Sequence, residues 1–200
     1  MSVNFKESQT MKNLMRAFAG ESQARNRYTH AAGEATRQKQ HMIADVFHFT
    51  ANQEKEHAAI FYEHLSELAG ETIQIEGGYP IDISSDLATL LKYAKHNEDE
   101  EADDVYINFA NVAEQEGFLK VAQDFRNIAK IEKTHGERFG NLAKGLEDNQ
   151  LYVSGSTIPW MCLNCGYIFE GTQVPERCPV CNHDQGYFIR LNCAPYTLAQ

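Results

Sequence analysis

Apolar residues recur at helical spacing over four long stretches of this 200-residue chain. The first runs from about Asn4 to Arg37 without a proline, with Leu14, Phe18, Ala24, Tyr28 and Ala31 at the expected intervals. Arg37-Gln-Lys-Gln-His41 is a polar turn, and a second helix is predicted from about Met42 to Leu68, stopped by Gly70. Glu71 to Ile83 contains Gly77-Gly78-Tyr79-Pro80 and reads as a crossover loop. Ser84-Ser85-Asp86 supplies N-caps for a third helix reaching about Glu116. Gly117 breaks it, and a fourth helix spans about Phe118 to Leu146. Four helices with one long crossover predict a four-helix bundle over residues 1–150. From Leu151 on, Gly, Pro, Cys and aromatics replace the Ala- and Glu-rich pattern, so the boundary is expected within Asn149 to Thr157. A small β-rich metal-binding module is expected over residues 157–200.

The bundle pattern repeats. Ala44, Phe47, Ala51, Glu54, Lys55, His57 and Phe61 recur 78 residues later as Ala122, Phe125, Ala129, Glu132, Lys133, His135 and Phe139, and Tyr28 maps onto Tyr106. An internal duplication of a helix pair accounts for this and implies a pseudo-two-fold bundle.

The repeated positions carry chemistry. Residues three apart share a helix face, so Glu54 with His57, and Glu132 with His135, can each bind one metal. Glu21 and Glu98 supply a carboxylate from the helix before each pair. One Glu from each of two helices plus Glu-x-x-His from the other two is the donor set of a carboxylate-bridged two-metal site. Hard, bridging carboxylates with imidazole suit iron or manganese.

The repeat breaks at Glu101, whose counterpart is Ala24. Glu21, Glu54, Glu98, Glu101 and Glu132 carry five negative charges. Two trivalent ions supply six positive charges, two divalent ions only four, and a buried excess anion is costly. Glu101 and neutral His57 are therefore expected to exchange on one metal as the oxidation state changes. Tyr28 and Tyr106 lie about two turns past the first- and third-helix glutamates, where their hydroxyls can either hold ligand carboxylates or simply pack in the core. Asp99, Glu100, Asp103, Asp104, Glu34 and Glu56 read as solvated surface. His30, His41, His48, His64 and His96 read as surface or packing histidines.

Cys162-Leu-Asn-Cys165 and Cys178-Pro-Val-Cys181 form two knuckles that converge four thiolates on one tetrahedral metal. Zinc ribbons and single-iron rubredoxin sites share this geometry, so the spacing leaves the metal open. Trp160, Tyr167, Phe169, Tyr187 and Phe188 are candidates to pack over the site, and Cys193 is left as a free thiol. In a reducing cytosol, cysteines paired and confined to one module read as metal binding rather than a disulfide framework. A net charge of −10 and a pI near 5.2 argue against nucleic acid or anionic membrane as a partner. The first residues lack a secretory pattern and no apolar run reaches membrane-spanning length, so a cytoplasmic protein is expected.

With both donor sets in place, the chain resembles the rubrerythrins over essentially its whole length. The resemblance rests on Gly20-Glu21-Ser-Gln-Ala-Arg-Asn-Arg-Tyr28, Glu54-x-x-His57, Glu98-x-x-Glu101 followed by Tyr106, Glu132-x-x-His135 and the C-terminal knuckles. It implies a ferritin-like bundle with a rubredoxin-like domain, and a non-haem di-iron peroxidase reducing hydrogen peroxide to water. Electrons would come from an NAD(P)H-dependent reductase or rubredoxin. By the same resemblance Glu21, Glu54, Glu98, Glu101, Glu132 and His135 would hold two iron ions, with His57 as the exchanging ligand. Cys162, Cys165, Cys178 and Cys181 would hold one more iron. A homodimer in which one subunit's four-cysteine site serves the other's di-iron site is also implied. Two other readings stand beside it: a ferritin-like ferroxidase that gathers iron, and a structural protein with zinc in the four-cysteine site.

Overall fold

A computed structural model describes residues 3–197. Helix α1 (Gln9–Arg37) begins later than the apolar pattern predicts, because Ser8 caps it by accepting the Met11 amide at 3.0 Å. The residues before it form a 3-10 turn, Phe5–Glu7. After a turn in which Lys39 adopts φ 58°, α2 (His41–Glu63) runs back along α1. It ends before the expected Leu68, where the chain tightens into a second 3-10 turn (Ser66–Leu68) that buries Leu65 and Leu68. The crossover then leads to α3 (Leu87–Glu100), whose N-cap Asp86 accepts the Thr89 amide at 2.8 Å.

The third predicted helix is not continuous. Glu101–Val105 is a π-helical turn in which the Tyr106 amide reaches back to the Glu101 carbonyl, and α4 (Tyr106–Glu116) continues the rod. Its origin lies in the repeat: Glu21 and Tyr28 are seven residues apart, but Glu98 and Tyr106 are eight apart. The wide turn absorbs the extra residue, so both Glu98 and Tyr106 still face inward. Gly117, at φ 92°, closes α4 in the left-handed conformation and α5 (Leu119–Glu147) completes the bundle.

Two aromatic lobes flank the centre of the bundle. Tyr28, Phe47 and Phe139 cluster with ring centroids 5.0–5.9 Å apart, and their repeat mates Tyr106, Phe125 and Phe61 cluster at 4.8–5.7 Å. All six rings are buried. At about 1.5–3 kcal/mol for each fully buried large side chain, these lobes are a main source of the bundle's stability. They also seal a polar layer between them.

Beyond the bundle, β1 (Val153–Cys162), β2 (Ile168–Gln173) and β3 (Phe188–Arg190) form an antiparallel sheet in the order β2-β1-β3. Trp160, Val174 and Phe188 make its small core. The sheet module seats on the α1–α2 turn: His41 stacks on Tyr187 at 3.9 Å, Tyr152 donates to Gln40, and Leu163 and Ile189 pack against the bundle core. No described helix is long and apolar enough to cross a membrane.

Candidate metal centres

Six of the seven carboxylate and histidine residues singled out in the bundle converge between the aromatic lobes. Glu54 and His57 come from α2, Glu132 and His135 from α5, Glu21 from α1 and Glu98 from α3. Glu21, Glu54, His57 and Glu132 bring ligand atoms within 4.8 Å of one another, as do Glu54, Glu98, Glu132 and His135. Glu54 and Glu132 belong to both groups. His57 Nδ1 lies 2.9 Å from Glu54 Oε2 and 2.8 Å from Glu132 Oε1. His135 Nδ1 lies 3.1 Å from Glu54 Oε1 and 2.8 Å from Glu132 Oε2. Each of these two carboxylates thus turns one oxygen toward each histidine, which is the disposition of bridging ligands between two ions. The terminal carboxylates sit outside: Glu21 at 3.9 Å from His57 and Glu98 at 3.8 Å from His135.

The donor atoms are prepared for metal rather than for each other. Both oxygens of Glu54 and Glu132, Glu21 Oε2 and both histidine Nδ1 atoms are buried without a hydrogen-bond partner of acceptable geometry. Buried polar atoms are rarely left unpaired, and seven facing one centre fit a cation pair. Without ions the cluster holds protons. Burial drives the Glu21 and Glu98 carboxyls well above the ordinary carboxylate range, with neighbouring carboxylates adding to it. Burial opposes charging of the histidines, but the Glu132 and Glu54 carboxylates close beside them favour the protonated rings and raise His57 to about 9 and His135 to about 12. Burial likewise disfavours ionised Glu132, yet His135 and His57 hold it down at about 2.

Glu101 stands apart, at the π turn and outside both groups. It lines a cavity of about 260 Å³ together with Gly20, Arg27, Asn97, Tyr106 and Tyr79 of the crossover. Burial raises its carboxyl to about 8, against the pull of Arg27 and His57. Arg27 Nε is 3.3 Å from Asp82 Oδ2, which also accepts from Asn97 Nδ2 at 2.7 Å. A larger surface cleft beside Lys92 and Lys144 contains none of the site residues.

The four knuckle cysteines form a second centre. All four sulfurs lie within 4.8 Å of one another, with Cys162–Cys181 at 3.8 Å and Cys165–Cys178 at 3.7 Å. Four thiolates at tetrahedral metal–sulfur distances of about 2.3 Å stand about 3.8 Å apart, so the spacing fits one ion and excludes disulfides. Each knuckle turns through a left-handed residue, Gly166 at φ 76° and Asn182 at φ 59°. Trp160 and Phe188 are buried beneath the cluster, whereas Cys193 is exposed and outside it.

The two centres are matched by the comparisons with known proteins. The family model described as Rubrerythrin matches residues 12–143, and that described as Rubrerythrin, rubredoxin-like domain matches residues 160–189. The chain belongs to the rubrerythrin family. It is 43% identical over 186 residues to rubrerythrin from Clostridium perfringens, covering 92% of this chain and 95% of that one. It is 44% identical over 191 residues to rubrerythrin-1 from Clostridium acetobutylicum, covering 94% and 97%. Among solved structures it is similar to nigerythrin in its fully reduced, all-ferrous state, with TM-score 0.62, 28% identity, and 95% and 88% of the two chains covered. The fold is therefore a ferritin-like bundle with a rubredoxin-like domain. As in other rubrerythrins, the centres are a di-iron site and a four-cysteine site, those of an oxidoreductase of the oxidative-stress class.

Several features of this rubrerythrin are absent from the sequence reading. Tyr28 donates to Glu98, and Tyr106 donates to Glu21 at 2.5 Å, which settles the open role of both tyrosines. The π turn was legible in the one-residue offset of the repeat. The Arg27–Asp82–Asn97 array joins residues distant in sequence and left no signal there. The remaining singled-out residues lie off the site: Glu100, Asp103 and Asp104 are exposed, and Asp99 pairs with Lys95 and Lys133.

Proposed function

We propose that this protein is a peroxidase that reduces hydrogen peroxide to water, with electrons passed from an NAD(P)H-dependent reductase or rubredoxin through the four-cysteine iron to the di-iron pair. The observation that carries the reading is the pair of bridging carboxylates, Glu54 and Glu132, beside a cavity into which Glu101 projects. In this reading Glu21, Glu54, Glu98, Glu101, Glu132 and His135 hold the irons, His57 exchanges with Glu101, and Cys162, Cys165, Cys178 and Cys181 hold the third iron. The arrangement seen, with His57 inside the donor cluster and Glu101 outside it, is the one charge balance favours for divalent ions.

Iron held by these residues would supply the two electrons needed to cleave the O–O bond. The chain supplies the rest. The overall change, peroxide plus two electrons and two protons giving two waters, needs protons delivered in a buried place. Glu101, raised to about 8 by burial, holds a proton at neutral pH beside the cavity and can release it there. Tyr28 and Tyr106 fix the terminal carboxylates, and the aromatic lobes exclude bulk water from the reduced pair.

The reading includes a cytoplasmic homodimer. All five cysteines are free, which fits a reducing compartment. The sheet module docks at His41, thirteen residues or about 20 Å of helix from Glu54, a long separation for electron tunnelling that supports a partner's module as the electron source.

The test is anaerobic stopped-flow absorption of the iron-loaded, reduced protein mixed with one equivalent of hydrogen peroxide or of oxygen. Fast return of the iron–thiolate colour with peroxide, slow return with oxygen and two waters per peroxide are expected. Slow return with peroxide overturns the reading in favour of a ferroxidase, and an absence of the colour means zinc in the four-cysteine site.

A further inference from the structure

The internal duplication is unequal around its two histidines. The outer nitrogen of His135, Nε2, lies 3.1 Å from Gln53 Oε1. Arg138 Nη1 approaches the same oxygen at 3.4 Å and donates to Thr50 Oγ1 at 3.1 Å. Arg138 can only donate, which fixes that atom as the amide oxygen; His135 Nε2 must then donate to it, and on a metal-bound imidazole this leaves Nδ1 as the nitrogen offered to the metal side. Arg138 is itself held over the Phe49 ring at 5.3 Å, and Thr50 donates to the Val46 carbonyl at 3.0 Å. The support therefore reaches back into the α2 backbone.

The repeat mates of these residues do not reproduce it. Gln53 corresponds to Ile131, Arg138 to Ile60 and Thr50 to Ile128. The antiparallel register set by Thr50–Arg138, Gln53–His135 and His64–Asp124 places Ile131 opposite His57 as Gln53 stands opposite His135. An isoleucine offers no acceptor, and among the described residues His57 Nε2 has no hydrogen-bond partner.

We propose that Gln53, braced by Arg138, is a positioning residue that clamps His135 as the fixed imidazole ligand, and that Ile131 at the matching position leaves His57 free to leave. The asymmetry then acts together with the one-sided Glu101, whose repeat mate is Ala24, in deciding which side of the pair exchanges. The proposal rests on the di-metal reading of the site and not on peroxide as substrate.

The test uses zinc, a redox-inert divalent ion, on chelator-stripped full-length protein. Zinc affinity is measured by competition with a chromophoric chelator, and imidazole tautomers by two-bond proton–nitrogen correlation spectra. Gln53→Leu should lose the ordered His135 Nε2–H signal and bind zinc 10–100-fold more weakly, the usual loss for removing such a support. Gln53→Glu, which keeps an acceptor, should restore both. Ile131→Gln should order the His57 Nε2–H signal. In the iron-loaded protein it should also weaken the preference for the oxidised pair, raising the midpoint potential by 59 mV per electron for each tenfold. Unchanged zinc affinity and spectra in Gln53→Leu, or an unchanged potential in Ile131→Gln, overturns the clamp. The zinc and tautomer results are independent of whether peroxide is reduced, so a failure of the peroxidase reading is separately recognisable.

Discussion

Tyr106, on α4, donates its hydroxyl to Glu21 Oε1 on α1 at 2.5 Å, and Tyr28 on α1 returns the contact to Glu98 on α3. Each hairpin thus orients the terminal carboxylate of the other. Both phenols are driven well above their ordinary range by burial, with the surrounding carboxylates adding to it, so they remain donors at any working pH. The one-residue π insertion exists alongside this reciprocity because without it Tyr106 and Glu98 could not both face the centre.

Tyr106→Phe removes the donor and little volume. Among the described residues, Glu21 then loses its one hydrogen-bond partner outside the ligand cluster. Metal affinity should fall about 10–100-fold, measurable by chelator competition, while the bundle remains folded. Tyr28→Phe should match it through Glu98. Unchanged affinity in both variants would show that the tyrosines are packing residues only.

Metal-stripped protein should lose stability as pH rises. His57 and His135 are raised to about 9 and about 12 in the fold, against about 6.5 unfolded, so their stabilisation is complete below about pH 6.5 and declines as pH climbs through 9. Glu101, raised to about 8, binds its proton more tightly folded than unfolded and drives the same decline from about pH 4.5 to 8. Glu132, lowered to about 2, acts oppositely but only in acid. The melting temperature of stripped protein should therefore drop steadily between pH 6 and 9. Zinc-loaded protein should show a flatter or reversed slope, because metal has displaced those protons. Parallel slopes with and without zinc would contradict the assigned proton storage.

How much of this was readable beforehand depends on the range of the interaction. Glu54 with His57, and Glu132 with His135, declare themselves because ligands three apart on a helix are a local pattern, and duplication repeats it. The cysteine knuckles are local in the same sense. Helix ends were misplaced where a side chain intervened, as with Ser8 capping α1, or where a tight turn buried Leu65 and Leu68. Arg27 with Asp82, and Gln53 with Arg138, join residues 55 and 85 positions apart, and nothing in their immediate neighbours marks them. The docking of the sheet module on the α1–α2 turn was invisible for the same reason.

That docking has a vulnerable point at Gly186. A Cβ placed on Gly186 would lie 1.7 Å from the Lys39 carbonyl oxygen, and both are backbone-fixed. Gly186→Ala must therefore push the module off the turn, breaking the His41–Tyr187 stack at a cost of about 1–3 kcal/mol. The sheet module should become accessible to limited proteolysis between residues 147 and 153, with zinc affinity of the bundle unchanged. A protease-resistant Gly186→Ala protein would mean that the α1–α2 turn yields instead.

Glu101 and Arg27 give the sharpest separation of binding from chemistry. Glu101 lies outside both ligand clusters, so Glu101→Gln should leave the loading of divalent metal intact. It removes both the exchangeable anion and the proton held beside the cavity, so kcat/KM for peroxide should fall at least about 10²-fold, the lower end of what a positioned acid contributes. Arg27 acts on the same carboxyl from a distance: burial lifts Glu101 to about 8 and the guanidinium restrains it. Arg27→Met should therefore raise that value further and move the alkaline limb of the peroxide pH profile upward, since Glu101 keeps its proton to higher pH. Asp82, relieved of Arg27, retains Asn97 as a partner, so the crossover stays in place. A profile that stays put in Arg27→Met, with Glu101→Gln still inactive, would assign the limb to a different group and leave Glu101 its role as exchanging ligand alone.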